Sequence, residues 1–276
     1  MRDRKFTEPA LAAATWIGAC ATFGVLVMLA AFIFVKGIPH MKPSLFSLTY
    51  NSTNVSLMPS FVSTIIMTAL SLLIAVPLGV SAAIYLVEYA KRGSGTVRVI
   101  RMTAETLAGI PSIVYGLFGM LFFVTFLGWG FSVLSGAFTL SVMILPLVMR
   151  SAEEAIMAVP DTYREGAFGL GAGKLRTVAR VVLPSAMPGI LAGVILSAGR
   201  IVGETAALIY TAGTVVRIPT SPMQSARTLA VHMYALSSEG LHTNEAYATA
   251  AVLLFAVVLI NAVSAAAARR IGGGKL

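Results

Sequence analysis

The stretch EGAFGLGAGKLRTVARVVLP, Glu165 to Pro184, is a short, charged, glycine-rich segment set between long runs that carry almost no charge. A soluble domain spreads its charges over its surface, whereas a membrane protein gathers them between spans. The stretch reads as ordered. Asp161 follows Pro160 and is placed to cap a helix, with Glu165 on the first turns, where carboxylates suit the helix dipole. Residues 165–168 continue the helix, and Gly169, Gly171 and Gly173 then permit a tight turn and close approach by a partner's backbone. Residues 181–183 lead to Pro184, a break before the next span. The expectation is a cytoplasmic segment, 158–184, with a short helix lying across the membrane surface and able to dock in another protein. An ordinary basic loop with a capped helix is the other reading the residues leave open.

Working outward, the charges divide the chain. Only 11% of its 276 residues are charged and 57% are hydrophobic, far from the balance of a soluble domain. No charge falls between Glu8 and Lys36, room for a span at 15–35. The next span is expected at 61–87, where Pro77 and Gly79 kink or shorten it. Between Glu105 and Arg150 lie 44 uncharged residues, too many for one helix and enough for two, 107–127 and 133–148, with a turn in the Gly-rich 128–136. The last two are expected at 188–212 and 246–266. About 20 apolar residues cross a hydrocarbon core, and backbone groups there need internal partners, so the reading is an all-α integral membrane protein with six helices. Gly189/Gly193 and Gly199/Gly203 form Gly-x-x-x-Gly pairs, a weak packing signal.

Orientation follows from Lys and Arg. The amino-terminal tail, segments 88–106 and 149–187, and the tail after 266 hold 15 of the 20 basic residues. Lys36, Lys42, Arg217 and Arg227 lie on the other side, and Arg200 lies inside a span. The bias puts both termini in the cytoplasm of a multi-pass inner-membrane protein. The +9 formal charge is thereby a topology signal rather than a nucleic-acid footprint. The first span exceeds a typical signal-peptide core.

Chemistry-bearing motifs are sparse. Gly169–Lys174 mimics a phosphate-binding loop but has Phe168 where the first Gly belongs and Leu175 where Ser or Thr belongs. Cys20 stands alone and reads as a small hydrophobe. His232 and His242 have no metal-ligand spacing and read as surface histidines, beside a short amphipathic helix expected at 227–236. No catalytic or metal site is expected. Arg200 and Glu204 are the charges placed within a span, one turn apart, with Arg200 roughly 18 Å along the fifth helix. Leaving Arg in lipid costs about 2.5–3.5 kcal/mol on insertion scales, so the pair is expected to face the bundle interior or a pathway. It then serves as an ion pair between helices, as part of an anion path, or as both.

The spacing Glu165-Gly166-Ala167, then Gly171, then Leu183-Pro184 resembles the Glu-Ala-Ala…Gly…Leu-Pro signature of binding-protein-dependent importer permeases, with Gly166 in place of the first Ala. Three further stretches, 108–119, 159–165 and 203–213, resemble the PstA family of phosphate importer permeases, and the likeness runs from about residue 12 to 265. A short amino-terminal region favours PstA over the related PstC permeases. The resemblance implies a six-helix type I ABC importer permease that docks on its ATPase through Glu165, Gly166, Ala167, Gly171, Leu183 and Pro184. It also implies Arg200 and Glu204 on the substrate pathway and inorganic phosphate as the cargo. The implied partners are a PstC-like second permease, two PstB-like ATPase subunits and a PstS-like periplasmic phosphate-binding protein. MgATP would be used by the ATPase, and no cofactor would be bound by this chain. A permease for molybdate, sulfate or phosphonate is the near alternative, and a membrane scaffold without a transport path the distant one.

Overall fold

Runs without charge become helices because backbone N–H and C=O groups in lipid can pair only within the chain. The computed structural model describes residues 4–91 and 93–272, so Arg2, Arg92 and Lys275 of the basic segments lie outside the described residues. Helix α1 (Arg4–Gly37) is followed by 3-10 turns at Ile38–His40 and Pro43–Phe46. Helix α2 (Met58–Ile84) runs into a wide π-helical turn at Tyr85–Tyr89. Helix α3 (Gly95–Ala108) precedes α4 (Ser112–Gly119), which continues as a π-helical stretch, Met120–Phe126. Next come α5 (Val133–Met157), α6 (Asp161–Gly169) and α7 (Lys174–Thr177). A π-helical turn at Val178–Val182 leads into α8 (Leu183–Val202). The short α9 (Ala206–Ile209), α10 (Leu229–Glu239) and α11 (Thr243–Gly272) complete the chain.

Among the described residues, five helical runs are long and apolar enough to cross a membrane: Ala12–His40, Met58–Tyr89, Val133–Met157, Lys174–Val202 and Thr243–Val263. A sixth, Gly95–Ala108 with Ser112–Phe126, is bent by 100° at its break.

Several helix bounds differ from the sequence expectation, each for a local reason. The stretch 107–127 is not one helix. Pro111 has no N–H to donate and pushes Ile110 out of the helical region, so the chain turns at 109–111 and the apolar arm starts at Ser112. The turn expected over 128–136 occupies only 127–132: Gly128 and Gly130 take φ of +68° and +63°, and the Ser132 hydroxyl caps α5 by accepting from the Ser135 N–H at 3.2 Å. Helix α5 does not stop at 148 but runs to Met157, because its charges find partners. Glu153 accepts from Arg101 Nε at 2.6 Å, and Arg150 donates to Glu154 at 3.1 Å and Glu105 at 3.4 Å. The helix expected at 188–212 begins at Lys174 and ends at Val202, and Pro184 lies inside the continuous run rather than breaking it. Pro184 and Pro188 lack the N–H groups of a regular turn, and the wide turn at Val178–Val182 sits directly before them.

Helix α5 is the axis of the bundle, with α2 and α8 packed along it. The Gly189/Gly193 pair forms the α8 side of that seam: a Cβ on Gly189 would lie 2.7 Å from Ala155 Cβ, and one on Gly193 would overlap Ser151. One apolar cluster, with Met67, Leu140, Ile144, Ile201 and Leu208, joins α2, α5, α8 and α9. A second, with Leu86, Val97, Ile156, Val182 and Ile190, ties the α2, α5 and α8 ends to α3. Helix α1 packs on α11, with Phe32 edge-on to Tyr247 at 5.9 Å.

Segment 213–245 departs from expectation. Helix α10 begins at Leu229 rather than 227, and its first turn is buried rather than lying on an interface. His232 is fully buried, not a surface residue, with its ring edge-on to Tyr50 at 6.1 Å. Arg227 is buried beside it, over the Tyr50 ring at 5.7 Å.

Candidate functional site: segment 158–184 and two helix breaks

Two regions collect the residues singled out in the sequence. The first is 158–184. Pro160, not Asp161, occupies the cap position of α6, and Asp161 is the first helical residue, where its carboxylate accepts from Arg164 Nη1 at 3.1 Å. The helix ends in a Schellman arrangement: Gly171 N–H donates to Phe168 O at 2.9 Å, and Ala172 N–H to Ala167 O at 3.0 Å. Gly171 takes φ +81°, which explains the glycine by backbone conformation. Within this chain the space around it is open.

Of the expected docking residues, Glu165, Gly166 and Gly171 are exposed, as is Pro184. Ala167 is buried under α6 and Leu183 packs into the cluster around Ile156. The outward face adds side chains that sequence reasoning left aside: Leu170 is 91% exposed and Leu175 74%, with Tyr163 and Phe168 beside them. Apolar side chains gathered on an exposed face are the kind of patch at which proteins make contacts. A groove of about 450 Å³ between α6 and the following leg is lined by Tyr163, Gly166, Leu170, Arg176 and Arg180.

Arg164 was also missed. Its guanidinium and the Glu88 carboxylate are both well buried, and Nε donates to Glu88 Oε1 at 2.9 Å. Glu88, Glu153, Arg164 and Arg227 are thus further buried or largely buried charges beyond the two assigned to a span. The signal that could have found Glu88 is its place as the first acid after a long apolar run, four basic residues crowding after it.

The second region is where α8 stops. The chain unwinds at Gly203-Glu204-Thr205 before α9, so Glu204 is not one helical turn above Arg200 on a shared face. Glu204 is buried, and its Oε1 accepts from the Ala207 N–H at 3.1 Å, holding the start of α9. No ion pair joins it to Arg200 among the described residues. Arg200 occupies the last turn of α8, where a cation suits the carbonyl end of the helix. It is exposed, in a stripe with Ala192, Leu196 and Gly203 that none of the described residues covers.

Helix α4, which follows the break at 109–111, is packed against α9, which follows the break at 203–205. Gly116 of α4 lies on α9, and Gly119 lies against Thr139 and Thr211. Tyr115 is buried, its hydroxyl donating to Leu107 O at 2.7 Å across the bend. The structure thereby brings stretches 108–119 and 203–213, nearly a hundred residues apart, to one place. Unwound backbone at membrane depth is tolerated where it is covered by protein or lines a cavity, and such breaks in transporters lie at substrate sites. Among the described residues, no group of His, Cys, Asp and Glu is arranged to hold a metal ion.

Residues 75–273 match the family described as binding-protein-dependent transport system inner membrane component. The probable ABC transporter permease protein YqgI of Bacillus subtilis is 35% identical over 94% of each chain. The phosphate transport system permease protein PstA 1 of Mycobacterium tuberculosis is 42% identical over 54% of this chain and 49% of its own length. The phosphate transport system permease protein PstC of Mesorhizobium japonicum is 33% identical over 73% of this chain and 69% of its own. The chain thus spans about half the length of the PstA relative and more of the PstC one, and it is related to both. Among solved structures, a chain of a bacterial alginate ABC transporter superposes with a TM-score of 0.71 over 98% of this chain and 97% of its own, at 15% identity. A chain of the MetNI methionine transporter superposes with 0.60 over 78% of this chain and 94% of its own, at 18% identity, and both likenesses are of fold. The chain belongs to the binding-protein-dependent transport system inner membrane component family, as an all-α, multi-pass permease subunit of an ABC-type importer that works with a separate ATPase rather than as an enzyme.

Proposed function

We propose that this chain is a PstA-like subunit of an inorganic phosphate importer. It supplies half of a translocation path, the other half coming from a PstC-like permease, and receives the stroke of two PstB-like ATPases through 158–184. A PstS-like binding protein delivers phosphate from outside, both termini are cytoplasmic, and MgATP is consumed by the ATPases alone. The observation that carries the reading is the packing of stretch 108–119 on stretch 203–213 beside the uncovered Arg200. The phosphate permeases among the relatives support phosphate as the cargo. An anion crossing a low-dielectric passage needs a fixed positive site, and the guanidinium fork of Arg200 matches phosphate oxygens. Glu204 sets the backbone of the break through Ala207, and its charge opposes prolonged retention of the anion.

The test is phosphate uptake in proteoliposomes holding the whole complex, saturating binding protein and ATP, normalised to intact complex. Arg200→Gln cuts uptake strongly with assembly preserved, and Arg200→Lys is intermediate, since Lys keeps charge but loses the planar fork. Glu204→Gln keeps an acceptor for Ala207 N–H and removes only the charge. Uptake falls with assembly preserved if Glu204 acts on the path. Wild-type uptake by Arg200→Gln refutes the path, and competition by sulfate or molybdate equal to that by phosphate refutes the substrate.

A further inference from the structure

Helix α6 is joined by the chain to α5 on one side and, through α7, to α8 on the other, but it has no covalent link to α2. Arg164 supplies a non-covalent one. Its Nε and Nη2 both reach Glu88 Oε1 at 2.9 Å, at the end of α2 in the turn Tyr85–Tyr89. Nη1 donates to Val159 O at 2.7 Å and Asp161 Oδ1 at 3.1 Å, and Nη2 donates to Ile156 O at 3.0 Å. Four guanidinium hydrogen bonds and the Nη2–Glu88 ion pair therefore join the turn after α2, the end of α5 with the link that follows it, and the first turn of α6. The Arg164 side chain is 13% exposed and that of Glu88 8%, so water competes little for either. On its open side the pair borders a cavity of about 720 Å³ that also touches Lys91, Arg101 and Lys174, so there the charges rather than close packing hold α6 to α2. Lys174, on the other leg of the segment, lies 5.0 Å over the Tyr89 ring and grips the same turn from a second direction.

We propose that Arg164 and Glu88 form a transmission strut that makes α2 move with the coupling helix. The inference rests on the reading of 158–184 as the ATPase-docking segment. An apolar contact lets surfaces slide, whereas a short, largely buried charge pair holds its partners at a fixed distance. Without the strut the stroke reaches α2 only through apolar packing on α5 and α8, which can slide, and through Lys174 over Tyr89.

Glu88→Ala tests this cleanly, because it leaves the bonds of Arg164 to α5 and α6 in place. In the reconstituted complex, Glu88→Ala retains ATPase copurification and basal hydrolysis, while phosphate moved per ATP falls about tenfold, the scale of a coupling free energy between sites. Glu88→Asp restores a large part of it. Spin labels at the exposed Tyr85 and Leu170 report the motion itself, whatever the cargo. Their separation stays constant between nucleotide-free and ATP-trapped states in the wild type and changes in Glu88→Ala. Unchanged transport per ATP in Glu88→Ala overturns the strut. So does loss of complex or thermal stability in step with uptake, in Glu88→Ala and Glu88→Asp alike, which makes the pair an assembly contact. A wild-type complex that captures no ATPase refutes the docking reading itself, a result the Glu88 variants cannot mimic.

Discussion

Gly116 lies directly against Ala207: a Cβ on Gly116 would come within 2.8 Å of the Ala207 Cα and 3.2 Å of the Ala206 carbonyl oxygen. The obstacle is backbone, which cannot rotate aside as a side chain can. Helices α4 and α9 are therefore held at a separation that only glycine allows at this position.

Gly116→Ala should destabilise the protein by about 1–3 kcal/mol, the usual cost of overpacking, and should reduce transport because α9 shifts beneath Glu204. Gly166→Ala, at an exposed helical position with open space around it, is the control and should be neutral or slightly stabilising. Thermal midpoints of both variants in detergent decide this, and equal midpoints would sink the packing argument.

Gly166→Arg should leave the fold of this chain intact, since nothing within 4 Å meets a Cβ there. It should nevertheless weaken ATPase capture, because it puts a bulky cation on the exposed face that also carries Tyr163 and Leu170. Gly171→Arg is a poorer probe, as the +81° φ would strain any side-chain-bearing residue. Copurification of the ATPase at wild-type expression is the measurement; unimpaired capture would move the docking face elsewhere.

Single cysteines in a chain whose exposed Cys20 has been replaced should label alternately. Ser44, Phe131 and Ser237 should react from outside, and Gly95 and Leu170 from inside. Phe131 serves because the neighbouring Ser132 is fully buried. External labelling of Leu170 would contradict the orientation.

His232 should make the outer segment acid-sensitive. Burial, then the nearby Arg227 charge, push its pKa from 6.5 down to about 3, with the Val55 backbone opposing them. Tyr50 and Glu239 act on Arg227 in turn. Because the folded pKa lies below the unfolded one, the unfolded state binds the extra proton between pH 6.5 and 3. Stability is complete above pH 6.5 and falls on acidification by at most about 1.4 kcal/mol per pH unit. Thermal midpoints at pH 7.5 and 5.0 should drop more for the wild type than for His232→Leu; equal drops would place the acid sensitivity elsewhere.

What could be read in the sequence was whatever depended on solvation. Charge-free runs such as 9–35 and the basic segments between runs report directly where lipid and water lie, and they placed the helices. What escaped depended on pairing across the fold. The extension of α5 to Met157 is paid for by Arg101 and Glu105, residues of α3 whose proximity no local pattern reveals. Arg164 looked like one basic residue among several until Glu88, 76 positions earlier, was seen beside it. His232 looked solvated because its neighbours in sequence are mixed, while its burial comes from Tyr50 and Val55 on a distant loop. Pro111 and Gly203 were visible as helix breakers, but the apolar character of 107–127 and 188–212 masked them: hydropathy has no term for a missing N–H.

The wide turn at Val178–Val182 has an angular consequence. A π-helical turn holds about one residue more than a regular one, and each residue of an α-helix advances the side-chain direction by about 100°. Everything after that turn is therefore out of phase with everything before it by more than a quarter of a revolution. That offset lets Gly189 and Gly193 face α5 while Arg176 and Arg180 still line the groove beside α6. Removing a single residue from 178–182 would leave both helices intact and rotate one against the other. Either the seam with α5 or the groove beside α6 would then lose its alignment, and with the seam kept, Arg200 stays where it is while the arm before the turn swings away. The two ends of this one helix are set like gears keyed to a common shaft, and the extra residue is the key.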